Sequence, residues 1–167
     1  MADFLYGKRV DPYRSFRFRV LDANGKPLGG FAKVSGLKDD TEVIEYREGV
    51  DGNTVRKLPG ITTCENIVLE RGLSADGAMQ SWRDEVWKAD TDSTMRPDSE
   101  FRRDLVIQLL DMRGVVVKEW RVMEAWPATY EIGDMDANAS DVVLEHIELA
   151  NEGHYMVTQA GRLTAGS

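Results

Sequence analysis

Cysteine and histidine are nearly missing from these 167 residues, which hold only Cys64, His146 and His154. A single cysteine forbids an intramolecular disulfide, and two histidines beside it nearly exclude a zinc site built from those ligands. Long apolar runs are missing too. No stretch approaches the ~18 apolar residues of a membrane-spanning helix. The start, MADFLYGKRVDPYR, lacks the apolar run of about 7–15 residues found in a secretory signal. The expectation is a chain made and folded in a cytoplasm, not exported by that route and without stable membrane anchoring. What is present fits a globular fold: 42% hydrophobic and 30% charged residues argue against disorder. The length suits one domain able to bury about 70% of its unfolded surface.

Positive charge is scarce in one region in particular. Between Val122 and Gly161 there is no Lys or Arg, but eight carboxylates: Glu124, Glu131, Asp134, Asp136, Asp141, Glu145, Glu148 and Glu152. That stretch matches the whole formal net charge of −8. Residues 1–83 are near balance, with 13 basic and 12 acidic side chains, whereas residues 84–167 carry 8 and 17. Over residues 8–19, Lys8, Arg9, Arg14, Arg17 and Arg19 face only Asp11. Such runs are often just solvated faces, but the polarity also suits contacts between copies, basic region against acidic. A net-acidic chain is poorly equipped to grip phosphates, so no specific nucleic-acid binding is expected.

The dominant hydrophobic period is two. Phe16, Phe18 and Val20 alternate with Arg17, Arg19 and Leu21 as in a half-buried strand. Asn24-Gly25 in the following turn is a strong hairpin signal, because both residues tolerate positive φ. The return strand is expected at Phe31–Val34 and a third strand at Thr41–Glu48. A polar, glycine-bearing stretch then leads to Arg56-Lys57-Leu58-Pro59-Gly60 and reads as an extended β-arm or long loop. A fourth strand follows near Cys64–Arg71, with Ile67 and Leu69 on one face and Val68 on the other.

One helix is expected, at about 76–89, where Met79, Trp82 and Val86 share a side and Asp76 caps the first turn. Its two tryptophans, Trp82 and Trp87, read as core packing rather than a ligand box. Residues 90–100 read as a surface loop. A hairpin is expected from Leu105–Leu110 through Asp111–Gly114 to Val115–Val122. Ala125–Tyr130 reads as an edge or bulged segment because Pro127 cannot donate to a ladder. The last strand falls at about Val142–Leu149, with Val143, Ile147 and Leu149 opposite Leu144 and His146. The fold class is mainly β, a β-sandwich or small β-barrel with one packed α-helix and a long arm at about 38–60.

No Ser-His-Asp spacing, phosphate loop, dinucleotide fingerprint or HExxH motif occurs. The carboxylates alternate along strands as surface residues do, although counting them does not exclude a paired-carboxylate hydrolase. His146 reads as structural, His154 as a turn residue, and Cys64 as a buried or half-buried strand residue without a redox partner.

Several segments, in order, carry a resemblance: DPYRSFRFRVL (11–21), GGFAKVSGL (29–37), TEVIEYREG (41–49), RKLPG (56–60), LERG (69–72), RRDLVIQLLD (102–111), VKEWRVMEAWP (117–127) and ELANEG (148–153). The sequence resembles the tail tube proteins of contractile phage tails and extracellular contractile injection systems, relatives of the type VI secretion inner tube. The resemblance implies a single tail-tube domain over 1–167, with a core at about 11–153 and peripheral termini at 1–10 and 154–167. It further implies hexameric rings stacked into a hollow tube, partnered by sheath, baseplate or spike-hub and tube-terminator proteins, with cargo in the lumen. The subunit would be structural rather than an enzyme, with no cofactor.

On this resemblance the arm contacts a neighbouring ring or subunit through Glu42, Glu45, Arg47, Glu48, Gly49, Asp51, Gly52, Arg56 and Lys57. Arg14, Arg17 and Arg19 are basic contact candidates. Glu131, Asp134, Asp136, Asp141, Glu145 and Glu148 are acidic surface or lumen candidates. Two other readings stand beside this one. One is a tube-initiating or terminator ring protein of the same tail; the other is a ligand-binding β-barrel or hydrolase.

Overall fold

The structure, a computed structural model, describes residues 18–47, 49, 55–91, 101–136, 138 and 141–157. Arg14, Arg17, Glu48, Asp51 and Gly52, with Phe16 and most of the expected 90–100 loop, lie outside the described residues. Among the described residues ten strands and one helix follow in order. They are β1 (Phe18–Asp22), β2 (Pro27–Phe31), β3 (Lys33–Ser35), β4 (Asp39–Tyr46), β5 (Arg56–Cys64) and β6 (Ile67–Gly72). After α1 (Ala78–Thr91) come β7 (Arg103–Leu110), β8 (Val116–Ile132), β9 (Leu144–Ala150) and β10 (Gly153–Val157).

Two hairpins are built alike from local chemistry. In β1–β2, the Asp22 carboxylate accepts from Asn24 N at 2.9 Å and Lys26 N at 2.8 Å, and Gly25 takes φ +82°. In β7–β8, the Asp111 carboxylate accepts from Arg113 N at 2.7 Å and Val115 N at 2.9 Å, and Gly114 takes φ +78°. Each aspartate satisfies turn amides that the ladder cannot reach. The Asn24-Gly25 turn stands as the sequence reading has it.

The main sheet runs β2-β1-β7-β8-β9-β6-β3, with β10 added on β8. Its end strands, β2 and β3, are separated in the chain by Ala32 alone. Ala32 N donates to the Glu70 carbonyl at 2.9 Å, handing the chain from the β1 side to the β6 side. The expected single return strand is thus one run shared by two sheets, and it joins the two ends of the order. At the other corner, β8 leaves β7 and pairs with β9. There Glu124 adopts φ +50°, and its N–H is taken by the Asp104 carboxylate at 3.0 Å. The result is a flattened barrel whose two walls share β8 and the β2–β3 run.

Between the walls lie Val20, Phe31, Ile67, Leu69, Leu105, Ile107, Val122, Ile147 and Leu149, all buried, with Met79 and Trp82 of α1 completing the core. The helix begins two residues later than expected, and Asp76 Oδ1 accepts from Ala78 N at 3.2 Å as its cap. Trp82 Nε1 donates to the Phe101 carbonyl at 2.6 Å. Trp87 does not belong to the core: it is 65% exposed, because it lies outside the stripe defined by Met79 and Trp82.

Other strand boundaries differ from the sequence reading. Cys64 closes β5 and Ile67 opens a separate strand, with Ile67 and Leu69 buried as expected. Ala125–Tyr130 continues the 17-residue β8, and its register slips between Pro127 and Thr129, so the expected bulge is present. Strand β9 is not the last. His154 lies in β10 opposite Val122, not in a turn, and its Nδ1 is buried without a hydrogen-bond partner.

Candidate functional site

The arm is a hairpin of β4 and β5, paired with each other in a sheet of their own. Its root is fastened to the barrel. Gly36, at φ +82°, lets the backbone pass Asn66, whose carbonyl oxygen would lie 2.0 Å from any Cβ there. Glu65 N donates to the Lys38 carbonyl at 3.0 Å, and Asn151 Nδ2 donates to the Glu65 carbonyl at 2.9 Å. Lys38 Nζ reaches Glu65 Oε1 at 2.6 Å, and this bond and charge hold the ammonium above the usual lysine range.

Beyond the root, every residue of β4 is exposed, and β5 is half-buried only at Gly60 and Cys64. Register assigns the two faces. Ile44 lies opposite Leu58 and Tyr46 opposite Arg56 on one face; Val43 lies opposite Pro59 and Glu45 opposite Lys57 on the other. A bulge between Thr41 and Val43 shifts the pairing, and Gly60 fits there because a Cβ would press on Glu42 and Ile44 at 3.1 Å. Glu42, Glu45, Arg47, Gly49, Arg56 and Lys57 therefore all lie on the arm. With them stand Val43, Ile44, Tyr46, Leu58 and Ile61, exposed apolar residues that the charge-based reading missed. The signal was the adjacent Val43-Ile44, which places an apolar residue on both faces of one strand.

An isolated two-stranded hairpin is marginal in water. One that exposes aliphatic side chains on both faces is built to be covered by something else.

The outer faces of the barrel carry ordered charge. On one wall Lys33, Glu70, His146 and Glu131 lie side by side across four strands. Lys33 Nζ is 3.1 Å and His146 Nδ1 3.4 Å from Glu70 Oε1. Glu148 accepts from Asn66 Nδ2 at 2.8 Å. On the other wall Arg19 donates to Gln108 Oε1 at 2.7 Å through Nη2, and Gln108 Nε2 donates to Glu119 at 2.7 Å. Arg19 is thus engaged within its own subunit. Asp134, Asp136 and Asp141 are exposed in the connection between β8 and β9.

Glu145 is not a surface acid. It is 1% exposed and pairs with Arg71, Nε to Oε2, at 2.5 Å. It alternates in phase with Ile147 and Leu149, which faces it inward, and Arg71 shares the phase of Ile67 and Leu69. The Arg71 guanidinium also lies 5.0 Å from the Phe31 ring centroid. Burial first, then a hydrogen bond to Glu145, pushes the nearby Tyr130 hydroxyl up to about 12.

Among the described residues no group of three His, Cys, Asp or Glu side chains is placed to hold a metal ion. A hollow lined by Asp104, Arg121, Met123 and Tyr155, among others, encloses about 170 Å³. That is below the ~300–1,000 Å³ of small-molecule sites.

No curated protein sequence matches the chain. The cryo-EM structure of an extracellular contractile injection system, the PVC sheath–tube complex in its extended state, contains a chain with TM-score 0.66 and 27% identity, covering 86% of this chain and 89% of that one. The anti-feeding prophage cap, the AFP tube-terminating cap, gives TM-score 0.66 and 25% identity over 86% and 89%. The PVC sheath/tube terminator in the extended state gives 0.66 and 25% over 85% and 94%. The family described as T4-like virus tail tube protein gp19 matches residues 14–154. With residues 14–154 matched by that family, the chain belongs to the T4-like virus tail tube protein gp19 family.

Proposed function

We propose that the chain is a structural subunit of the inner tube of a contractile tail or injection system. It forms a single tail-tube domain, closes into hexameric rings, and stacks these into a hollow tube. The sheath drives that tube through a target envelope while cargo passes along its lumen. Sheath, baseplate or spike-hub and terminator proteins are its partners. Assembly in the bacterial cytoplasm follows, and no catalytic step is assigned to it.

The observation that carries this reading is the β4–β5 arm, fastened at its root and exposed on both faces. Rings of identical subunits need unlike surfaces that meet head to tail. A protruding element that is unstable alone supplies one of them. Arg14 and Arg17 serve as basic contacts, whereas Arg19 is taken up by Gln108 of its own subunit. Glu131, Asp134, Asp136, Asp141 and Glu148 form acidic surface or lumen wall, where like charge repels phosphate-bearing or acidic cargo and keeps it sliding.

A terminator ring is the second reading, favoured by similarity of equal score to the tube-terminating cap and terminator structures. Negative-stain microscopy with sedimentation velocity separates the two. The purified chain, seeded by its own baseplate where required, is expected to give tubes of stacked rings. Single rings that never stack support the terminator. A strictly monomeric protein at high concentration, seeded or not, overturns both.

A further inference from the structure

The β1–β2 and β7–β8 hairpins share one design but differ at a position that matters chemically. In each, an aspartate opens the turn and a glycine at positive φ ends it: Asp22 and Gly25 in one, Asp111 and Gly114 in the other. The residue ahead of the glycine is Asn24 in the first and Arg113 in the second. An asparagine holds its carboxamide carbon within reach of the next backbone nitrogen. An arginine side chain holds no such carbonyl there.

Asn24 and Gly25 are both exposed, and a Cβ placed on Gly25 would meet nothing within 4 Å, so nothing crowds the peptide that joins them. Asn24 N donates to the Asp22 carboxylate at 2.9 Å, but the Asn24 carboxamide has no hydrogen-bond partner among the described residues. The other described asparagines differ. Asn66 Nδ2 donates to Glu148 at 2.8 Å and the next residue is Ile67; Asn151 Nδ2 donates to the Glu65 carbonyl at 2.9 Å and the next residue is Glu152. Asn138 is the matched comparison. It is exposed and its N–H is taken by the Asp136 carboxylate at 2.9 Å, but alanine follows it, and a Cβ hinders attack by the nitrogen it flanks.

We propose that Asn24-Gly25 is a site of spontaneous covalent modification, at which Asn24 is converted to aspartate and isoaspartate. Gly25 N attacks Asn24 Cγ and a new C–N bond forms; the Cγ–Nδ2 bond breaks, and ammonia leaves carrying the Gly25 amide hydrogen. The five-membered imide then takes up water. Opening at Cγ gives aspartate, whereas opening at the Asn24 main-chain carbonyl gives isoaspartate, whose backbone is one carbon longer. The reaction needs only water, and it does not depend on how copies of the chain assemble.

The two products affect the fold differently. Gly25 N donates to the Asp22 carbonyl at 3.0 Å, Asp22 N donates to the Lys26 carbonyl at 2.9 Å, and Lys26 N donates to the Asp22 carboxylate at 2.8 Å. Aspartate restores the amide N–H at the original chain length, so these bonds survive and one negative charge is added beside Asp22. Isoaspartate lengthens the chain inside this set of bonds and displaces Lys26 from Asp22. Lys26 leads straight into β2, which supplies Leu28 and Phe31 to the core. Damage at the turn is thereby passed into the wall.

The test ages the full-length chain in mildly alkaline buffer and maps its peptides by mass spectrometry, with isoaspartate counted by an L-isoaspartyl methyltransferase and a labelled methyl donor. The peptide carrying Asn24 is expected to accumulate both products, while those carrying Asn66, Asn138 and Asn151 stay at the level of unaged chain. Asn24→Gln and Asn24→Arg are expected to keep the circular dichroism spectrum and to lose both products from that peptide. The aged fraction rich in isoaspartate is expected to melt below fresh chain, and Asn24→Asp to melt with it. Modification that reaches Asn24 only after unfolding in urea, or no faster than it reaches Asn138, overturns the proposal. Equal melting of the isoaspartate fraction and fresh chain overturns the coupling between this turn and β2.

Discussion

Arg71 and Glu145 are separated by 74 residues in sequence and by 2.5 Å in space, with side chains only 2% exposed. Two charges withdrawn from water are costly, and their attraction offsets that cost only if the remaining donors and acceptors are satisfied. Here Glu145 takes both Nε and Nη2, and Nη2 also lies 3.4 Å from the Asp76 carbonyl just ahead of α1. The pair thereby links β6, β9 and the approach to the helix. Gly29 belongs to the same arrangement: a Cβ there would come within 2.6 Å of Arg71 Nη1. Removing one partner strands the other, so Arg71→Met is expected to cost about 3–5 kcal/mol. Urea unfolding monitored by tryptophan fluorescence measures it. Arg71→Met combined with Glu145→Leu is expected to recover most of that loss, because no uncompensated charge remains buried. A single variant as stable as the original chain would contradict this account.

At the scale of elements, the corner of β8 is where backbone geometry is most constrained. Glu124 at φ +50° occupies a region that costs a non-glycine residue about 1–2 kcal/mol. Glu124→Gly is expected to leave thermal stability unchanged or raised, and Glu124→Val to lower it, since a β-branched side chain fits that region worst. Differential scanning calorimetry of the two variants checks the ordering.

The same corner shows why some of the fold was legible in the sequence and some was not. Asn24-Gly25 and the Asp76 cap act within a few residues, and both appear where local chemistry places them. The break at Ala32 and the long run of β8 follow from closure of the barrel, which no local pattern encodes. His154 was misplaced because a five-residue strand after Gly153 carries little periodic signal. For the site, the arm was visible as a polar, glycine-bearing insertion. Its apolar face was harder to interpret, since alternation cannot distinguish a residue facing the core from one facing another copy. The burial of Glu145 was available from its phase with Ile147, but its partner lies too far away in sequence to be inferred.

For the molecule as a whole, charge and apolar surface act at different ranges. The imbalance between residues 1–83 and 84–167 works through solvent and is screened over a Debye length of ~8 Å at physiological ionic strength. The buried Arg71–Glu145 pair is shielded from ions. Raising salt from about 0.05 M to about 0.5 M is therefore expected to slow subunit addition severalfold while leaving the unfolding temperature nearly unchanged. Light scattering and calorimetry on the same samples compare the two, and equal sensitivity of both would contradict the separation.

The junction at Ala32 has a mechanical consequence. Because β2 and β3 are one length of chain shared between the two walls, squeezing or spreading the barrel loads a covalent link at that seam as well as hydrogen bonds and side-chain packing. The walls cannot peel apart at that seam as two stacked sheets could. A particle that must survive a sudden axial thrust would gain from such a wall, with lateral strain carried as tension along the backbone and the subunit's cross-section preserved while its neighbours push past.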